Sequence, residues 1–413
     1  MTVFRGLVAL ALLLGVAFVF SEDRRSLPKR VVIAGVLLQI ALATLLIKFP
    51  PAVVAVQKLT QAVEALQRAT DAGTTLVFGY LGGGELPFVE NKNGSSFILA
   101  FRAFPMVLTI AALSALLFHW GVMQTIVAGL AFVLRRSLGI GGPLGIGAAA
   151  HIFLGMVEAP LIVRPWLVTM SRGELFALMS CGLAGIAGTV MAIYGAILGG
   201  HVPDALPNIV TAAIISTPAA LALAAIMVPF APDPKPAAIL LGDPPANAME
   251  AIVRGTMDGV KILAGIVALL IVLVALVHLA DAALSLLPAI GGAPVTLRGL
   301  FALLFRPLVW LIGVPWEESD AAAHLMATKT ALNEFVAYLD LANLPKDALS
   351  DRSRLIMTYA LCGFANFGSL GVMIGGMTTM APERRHDIVS LAPRALISGT
   401  LATLMSGAVV GMM

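Results

Sequence analysis

Charged residues and cysteines are both scarce in this sequence. Of its 413 residues, only 12% are Asp, Glu, Lys or Arg, whereas 59% are hydrophobic, and the mean hydropathy is +0.96. A chain with so little polar surface to present to water is not a soluble domain, and we expect a membrane protein with several spans. The two cysteines, Cys181 and Cys362, lie within apolar segments, so no disulfide framework is expected.

Two catalytic signatures are also missing. The sequence contains neither His-Glu-x-x-His nor Gly-x-Ser-x-Gly, so it shows no metal cage and no nucleophile elbow. An intramembrane hydrolase is therefore disfavoured, although His151 and Glu158 are residue types that such an enzyme uses. The net charge of +3 and the pI near 9.0 indicate Lys and Arg in cytoplasmic loops. We expect no enzyme activity, no cofactor or metal, and no nucleic-acid partner.

Eight apolar runs are long enough to cross a bilayer at about 1.5 Å of rise per residue. They cover residues 6–20, 31–49, 97–120, 175–198, 209–228, 260–287, 355–380 and 388–413. The first run is predicted to be a retained span, because a basic loop follows it and no small-x-small cleavage site is present there. A cleaved signal peptide is the alternative. With that loop in the cytoplasm, alternation places the later basic clusters there too. These are Arg135 and Arg136, Arg164 and Arg172, Lys235, and Arg384 and Arg385.

Two further segments, residues 138–168 and 297–340, are broken by glycine, proline and charge. Each must enter and leave on one side, which predicts re-entrant hairpins buried in protein or lining a cavity. Residues 53–66 are typical of an amphipathic helix at the interface, and Gly82–Gly84 of a loop. The predicted fold is an all-α integral membrane protein with about eight transmembrane helices and two re-entrant hairpins.

The chain contains an internal repeat. Met-Ser-Cys-Gly-Leu-Ala-Gly-Ile-Ala-Gly at residues 179–188 is echoed by Ala-Leu-Cys-Gly-Phe-Ala-Asn-Phe-Gly-Ser at residues 360–369. A broken segment with a glutamate precedes each copy, Glu158 in the first and Glu334 in the second. The predicted topology inverts the two units, as in secondary transporters whose substrate site lies near the midplane. The alternative is that these glycines only allow close helix packing.

The repeat divides the chain into six predicted parts. The first three are N-terminal transmembrane helices (residues 1–50), an interfacial helix and loop (51–92), and a scaffold helix (93–137). The last three are the first repeat (138–230), a cytoplasmic linker with a scaffold helix (231–290), and the second repeat (291–413). Each repeat is predicted to consist of a re-entrant hairpin, a helix interrupted at its glycine-rich motif, and a further helix.

Polar residues at the broken segments predict a binding site. A carboxylate at bilayer depth costs roughly 2.5–3.5 kcal/mol on insertion scales, so an intramembrane acid is a candidate for function. Asn333 and Glu334 of the second hairpin supply an amide and an acid, a pairing that suits vicinal hydroxyls such as those of a ribose. Phe364 offers an aromatic face to a flat ring. Lys329 either neutralises Glu334 or is a snorkelling or packing lysine.

At these motifs the sequence resembles the concentrative nucleoside transporter family. The resemblance is carried by Glu-Ala-Pro-Leu-Ile-Val-Arg-Pro (158–165), Asn-Glu-Phe-Val-Ala-Tyr (333–338) and Cys-Gly-Phe-Ala-Asn (362–366), and it runs from about residue 97 to the C-terminus. It implies a multi-pass protein of the bacterial inner membrane that imports nucleosides by cation symport. It also implies a homotrimer in which a transport domain moves against a scaffold, an elevator type of alternating access.

The resemblance also assigns the substrate residues. Glu334, Asn366 and Ser369 match the family's ribose-binding positions, and Asn333 and Phe364 lie in the same motifs. The first hairpin of the family reads Gly-Gln-Thr/Ser-Glu, whose last three residues contact the base. In this chain Met156 and Val157 stand before Glu158, so the sugar half of the site is intact and two polar base contacts are missing. A different nucleoside-like solute is therefore an alternative substrate.

The coupling ion is predicted from two other matched positions. The family's sodium site uses an asparagine and a serine or threonine hydroxyl, whereas this chain has His151 and Gly185 there. Sodium prefers oxygen ligands, so protons are favoured over sodium as the coupling cation. His151 or Glu158 would carry the proton, with Glu158 favoured because intramembrane acids relay protons. Sodium held by backbone carbonyls and an uncoupled carrier are the alternatives.

Overall fold

The computed structural model describes residues 2–89, 96–231, 244–289 and 294–413. Within these ranges the chain is helical and has no β-strand, which confirms the predicted all-α class. The predicted cytoplasmic Lys235 lies outside the described residues. The helices are α1 (Thr2–Val19), α2 (Lys29–Lys48), α3 (Pro50–Phe78), α4 (Leu99–Arg102), α5 (Met106–His119), α6 (Val122–Leu138), α7 (Gly142–Ala150), α8 (Glu158–Ile162), α9 (Arg172–Ala184), α10 (Gly188–Leu198), α11 (Ala205–Met227), α12 (Ala248–Leu284), α13 (Leu297–Leu311), α14 (Ser319–Ala331), α15 (Glu334–Asn343), α16 (Asp351–Leu361), α17 (Phe367–Met380) and α18 (Arg385–Gly411).

The predicted apolar runs coincide with helices. Six helical stretches in the described part of the chain are long and apolar enough to cross a membrane, and two shorter apolar helices accompany them. Each of the eight predicted runs overlaps one of these eight stretches, which are Lys29–Lys48, Leu99–His119, Arg172–Leu198, Ala205–Met227, Ala248–Leu284, Pro382–Gly411, Val3–Val19 and Phe367–Met380. The number that crosses the bilayer stays a prediction, as does the interfacial position of the long helix α3.

Two predicted segments differ from the structure in detail. The helix expected over residues 93–137 is split into α5 and α6 at Gly121, whose φ of 78° is the left-handed conformation that favours glycine. The second predicted hairpin, 297–340, contains a separate helix, α13, which Thr296 caps and which is followed by a turn at Gly313 with φ 128°. The helix-turn-helix of the second repeat is therefore α14 and α15, and its re-entrant placement stays a prediction.

Side-chain caps fix where several helices begin. Ser171 and Glu174 form a capping box at α9, in which the Ser171 N–H donates to Glu174 Oε2 at 2.8 Å. Asn333 and Asn366 cap α15 and α17, because their Oδ1 atoms accept from backbone N–H groups at 2.9 and 2.7 Å. These caps satisfy donors that the first turn of a helix leaves without partners.

Both predicted helix interruptions are present. The first separates α9 from α10 at Gly185, and the second separates α16 from α17. The two breaks touch, since the Phe364 N–H donates to the Gly185 carbonyl oxygen at 3.0 Å. The two repeats are therefore joined by a backbone hydrogen bond at the point where each helix is broken.

The first broken helix and α11 pack into a buried body, whereas α12 lies outside it. In the most apolar window of Arg172–Leu198, 89% of the residues are buried. In the most apolar window of α11, 94% of the residues are buried, against 6% in that of α12. Helix α11 packs against α2, α9 and α18, and α12 packs chiefly against α5. This separation agrees with the division into a transport domain and a scaffold, which stays a prediction.

Basic residues predicted to share one side of the membrane do meet in the structure. Arg172 at the start of α9 pairs with Glu22 at 3.0 Å and with Asp387 of α18 at 2.8 Å. Arg394 of α18 also pairs with Glu22. The loop after α1 and the first turns of α9 and α18 therefore lie at one end of the molecule, as the alternating topology requires.

The contact between the two breaks generates a prediction about Gly363. A Cβ atom at Gly363 would lie 2.7 Å from the Ala184 carbonyl oxygen and 2.6 Å from Thr403 Cγ2, so backbone would have to move. We expect Gly363→Ala to lower the free energy of unfolding by about 1–3 kcal/mol, as overpacking does, and to lower the melting temperature of the purified protein. Gly371→Ala in α17 is the matched control, because a Cβ there meets nothing within 4 Å. Equal melting temperatures for the two variants would contradict the packing described.

Candidate functional site

A cavity of about 400 Å³ lies where the two repeats meet α12. Its walls come from the turn before α8, the helix breaks, α10, α15, α17 and one face of α12. This volume lies within the range of small-molecule sites, and the polar groups are few among apolar ones. The cavity is thus a candidate site for one small solute.

Every predicted substrate residue lines this cavity. They are Met156, Val157, Glu158, Asn333, Glu334, Phe364, Asn366 and Ser369. The structure brings them together from two helix-turn-helix segments and one helix break, which are far apart in the sequence. Their contact with a solute stays a prediction.

Glu334 is the centre of the polar cluster. It is 4% exposed, and each carboxylate oxygen accepts one hydrogen bond. The Tyr194 hydroxyl donates to Oε1 at 2.6 Å and the Asn366 amide donates to Oε2 at 2.8 Å. Because Tyr194 belongs to the first repeat and Glu334 to the second, one acid links the two halves of the molecule. A carboxylate oxygen offers two acceptor positions, so each still has one for a hydroxyl.

The two asparagines also have structural roles. Asn333 Oδ1 accepts from the Val336 N–H at 2.9 Å, and Asn366 Oδ1 accepts from the Ser369 N–H at 2.7 Å. Glu334 and Ser369 therefore lie in the first turns of α15 and α17, where unpaired N–H groups give a helix end partial positive charge. That positive field stabilises a buried carboxylate at this place.

Glu158 takes a compact position at the first hairpin. A side chain at Gly155 would collide with its carboxylate, so only glycine leaves room for the acid to fold back on the turn. Glu158 forms no ion pair with a basic residue in the described ranges. It lines the same cavity as Glu334.

Met156 and Val157 make this part of the cavity apolar. Met156 is 9% exposed and its Cβ lies 3.3 Å from the position of a Cβ on Gly182. Val157 packs on the other side, 2.9 Å from the corresponding position on Gly376 of α17. Neither side chain offers a directed hydrogen bond to a solute.

His151 and Gly185, the predicted ion-coupling positions, lie behind the cavity wall and do not line the cavity. The His151 ring fills the space that Gly182 leaves, with Cε1 3.0 Å from the position of a Cβ there. The imidazole is 3% exposed, and Nε2 has no hydrogen-bond partner among the described residues. Over the same residues, no group of three or more His, Cys, Asp or Glu side chains is arranged to hold a metal.

Lys329 is buried beside the second helix break, which contradicts the snorkelling interpretation and leaves the packing and neutralising interpretations as predictions. Its side chain is 0% exposed, so it does not snorkel, and it forms no ion pair with Glu334. The ammonium instead donates to the Ala360 carbonyl oxygen and to Thr403 Oγ1. Both partners lie beside the second helix break.

Sequence reasoning missed Tyr194 and the wall formed by α12. Tyr194 is one of only four tyrosines, and it follows the restart of a broken helix by six residues, a signal that could have marked it. The residues of the α12 wall recur at helical spacing. Any packed helix face shows the same spacing, so the pattern does not mark a cavity wall. It consists of Lys261, Ile262, Gly265, Ile266, Leu269, Leu270 and Leu273. Tyr338, the last residue of the motif at 333–338, donates to the Thr358 carbonyl oxygen and does not line the cavity.

Comparison with known proteins identifies the family. Three family models match the chain: "Na+ dependent nucleoside transporter N-terminus" over residues 8–81, "Nucleoside recognition" over 100–200, and "Na+ dependent nucleoside transporter C-terminus" over 208–411. The nucleoside permease NupC of Helicobacter pylori is 30% identical over 411 residues, which cover 98% of this chain and 96% of the permease.

Solved structures agree with this assignment. The structure of CNTnw in an inward-facing substrate-bound state has a TM-score of 0.88 and 34% identity, covering 100% of this chain and 99% of the other. A CNTnw variant in an outward-facing state has a TM-score of 0.87 and 33% identity, covering 100% and 98%. The sequence resemblance is thereby confirmed, and the chain belongs to the concentrative nucleoside transporter family.

Proposed function

We propose that this protein imports nucleosides across a bacterial inner membrane by symport with a cation, and that the cation is the proton. The observation that carries the proposal is the buried Glu334, held between Tyr194 and Asn366 with one acceptor position free on each oxygen. The names of its relatives, a nucleoside permease and a substrate-bound transporter, support the same solute class.

The sugar is assigned to the polar end of the cavity. Two vicinal hydroxyls can donate to the two oxygens of Glu334, and Ser369, in the first turn of α17, offers a further hydroxyl. Asn333 lines the same end, and Phe364 presents its ring to the nucleoside. A buried acid that loses such a donor keeps its desolvation cost, which makes the hydroxyls necessary for tight binding.

The base is assigned to the apolar end. Met156 and Val157 replace the polar pair of the family motif, and α12 adds an aliphatic wall. Glu158 is the polar group that remains on this hairpin. Nucleosides with different bases should therefore bind with similar affinity, and a nucleoside-like solute with another ring is the alternative.

Proton coupling is supported by the surroundings of His151. An imidazole is buried at a position where sodium would require an oxygen, and Gly185 offers no side-chain oxygen beside it. His151 or Glu158 would take up the proton, and burial favours the neutral, protonated form of an acid such as Glu158. Sodium is the alternative, supported by the description of the matched family models and by the carbonyls at the helix breaks.

Alternating access would move the buried body against α12 and its neighbours. The body holds Glu334 and its hydrogen-bond partners, whereas α12 contributes a wall that is aliphatic apart from Lys261. A homotrimer in the bilayer is proposed on the family resemblance, with α12 as part of the fixed scaffold. The largely exposed apolar surface of α12 is available to lipid or to other copies.

The sugar assignment predicts discrimination against deoxy analogues. We expect 2′- and 3′-deoxyribonucleosides to bind less tightly than ribonucleosides by about 1–3 kcal/mol per lost hydroxyl, because Glu334 loses a donor. Competition against uptake of a labelled ribonucleoside measures this difference. In Glu334→Gln the difference should shrink, which makes that variant the control. Equal competition by ribo- and deoxyribonucleosides would show that the sugar does not lie at Glu334.

The apolar hairpin predicts weak selectivity among bases. Contacts without hydrogen bonds separate similar shapes by only about 1–3 kcal/mol. We expect Met156→Gln combined with Val157→Thr to widen the spread of affinities across a panel of nucleosides. Met156→Leu combined with Val157→Ile, which stays apolar, is the matched control. An unchanged competition profile in the polar double variant would mean that these positions do not face the base.

The choice of ion can be decided in reconstituted vesicles. We expect a labelled nucleoside to accumulate under an inward proton gradient without sodium, and a protonophore to abolish this accumulation. Glu158→Gln should reduce proton-driven accumulation more than His151→Asn does, because Glu158 is the favoured carrier. Accumulation under an inward sodium gradient at equal pH, with none under a proton gradient, would refute proton coupling.

A further inference from the structure

Lys329 is a fully buried cation that the proposed transport mechanism does not use. It lies in the last turn of α14, and its side chain is 0% exposed. A buried ammonium is costly unless paired and hydrogen-bonded. Lys329 forms no direct ion pair with a carboxylate in the described chain. Besides the longer-range attraction of the Glu334 carboxylate, its compensation comes from oxygen partners in direct contact.

Both partners of Lys329 are oxygen acceptors. The ammonium donates to the Ala360 carbonyl oxygen at 2.8 Å and to Thr403 Oγ1 at 2.9 Å. The Thr403 hydroxyl donates its own hydrogen to the Thr400 carbonyl at 3.0 Å, which leaves its lone pairs for Lys329. A carbonyl and a correctly oriented hydroxyl are the kind of ligands that a hard cation takes in proteins. The ammonium thus occupies an oxygen-lined cation position.

The Ala360 carbonyl is available because helix α16 breaks. In a continuous helix it would accept from the N–H four residues later, which is that of Phe364. That N–H donates instead to Gly185 of the first repeat at 3.0 Å. Lys329 donates to the Ala360 carbonyl oxygen, which the Phe364 N–H does not use. This carbonyl lies at the C-terminal end of α16, where the backbone dipoles favour a positive charge.

The break that Lys329 compensates also sets the sugar site. The residues from Cys362 to Asn366 leave the helical path, which allows Asn366 to cap α17 and to donate to Glu334. If α16 continued through Phe364, the peptide that leads to Asn366 would change direction.

We propose that Lys329 is a tethered cation that holds the second helix break open and thereby positions Asn366 against Glu334. Its ammonium fills the cation position at the end of α16, so that Phe364 can bond to the other repeat. Lys329 is a positioning residue, since it does not line the cavity. This inference rests on the proposed nucleoside site, because its effect is read through recognition of the sugar.

The test compares binding of uridine and adenosine with binding of their 2′,3′-dideoxy counterparts to the purified full chain. Lys329→Met keeps the length of the side chain and removes its charge and its donors. We expect Lys329→Met to weaken binding of the ribonucleosides about tenfold to a hundredfold, the range for a hydrogen bond to a charged group. Binding of the dideoxy analogues should change little, so the preference for ribose collapses. Lys346→Met, at an exposed loop position, is the control and should leave both affinities unchanged.

A second pair of variants covers the case in which Lys329→Met fails to fold. Thr403→Val removes the oxygen ligand at nearly constant volume, and Thr403→Ser keeps it. We expect the valine variant to lose part of the ribose preference and the serine variant to retain it. A role in packing alone would lower the melting temperature without changing that preference.

Each outcome separates the two proposals. If the wild type prefers ribonucleosides and Lys329→Met, or Thr403→Val in its place, keeps the same preference, the role of Lys329 is overturned and the sugar site stands. If the wild type binds ribo- and dideoxynucleosides equally, the sugar site itself is overturned, and the inference about Lys329 is overturned with it.

Discussion

The structure depends on how broken helices satisfy their backbone groups inside a protein that has almost no polar side chains to spare. A helix break leaves N–H and C=O groups without intrahelical partners, and an unpaired polar group in an apolar interior costs several kcal/mol on transfer scales. Here the Phe364 N–H bonds to the Gly185 carbonyl of the other repeat, and the Ala360 carbonyl bonds to Lys329. Each break therefore supplies a hydrogen-bond partner for a backbone group that the other break leaves without one.

The same constraint explains where the site lies. Helix starts at α15 and α17 bring N–H groups and partial positive charge to the interior, and asparagine caps hold these starts in place. An acid can be buried only where such donors converge, and Glu334 lies in that position with Tyr194 and Asn366 as partners. The polar cluster that would recognise a sugar is thus a consequence of the interrupted helices.

The two sides of the cavity differ in a way that suits movement. The body side carries the hydrogen bonds of Glu334, whereas α12 presents, apart from Lys261, aliphatic side chains at helical spacing. Apolar contact has no preferred direction and depends mainly on area. In the proposed movement, a body that keeps its polar partners with it would leave no hydrogen bond behind on such a wall.

The sequence by itself determined the membrane class, the positions of both breaks and eight of the residues that line the cavity. The scarcity of charged residues excludes a soluble fold. Glycines and capping asparagines determine the helix breaks because they act over only a few residues, and the repeated motifs mark both halves of the site. Tertiary structure alone decided the pairing of Tyr194 with Glu334, which are 140 residues apart, and that of Lys329 with Ala360 and Thr403. It also decided that α13 is separate from the second hairpin, that α12 closes the cavity, and that His151 lies behind its wall. These features depend on which helix faces which, and no local pattern encodes a contact between distant segments, because the same apolar spacing serves every packed helix.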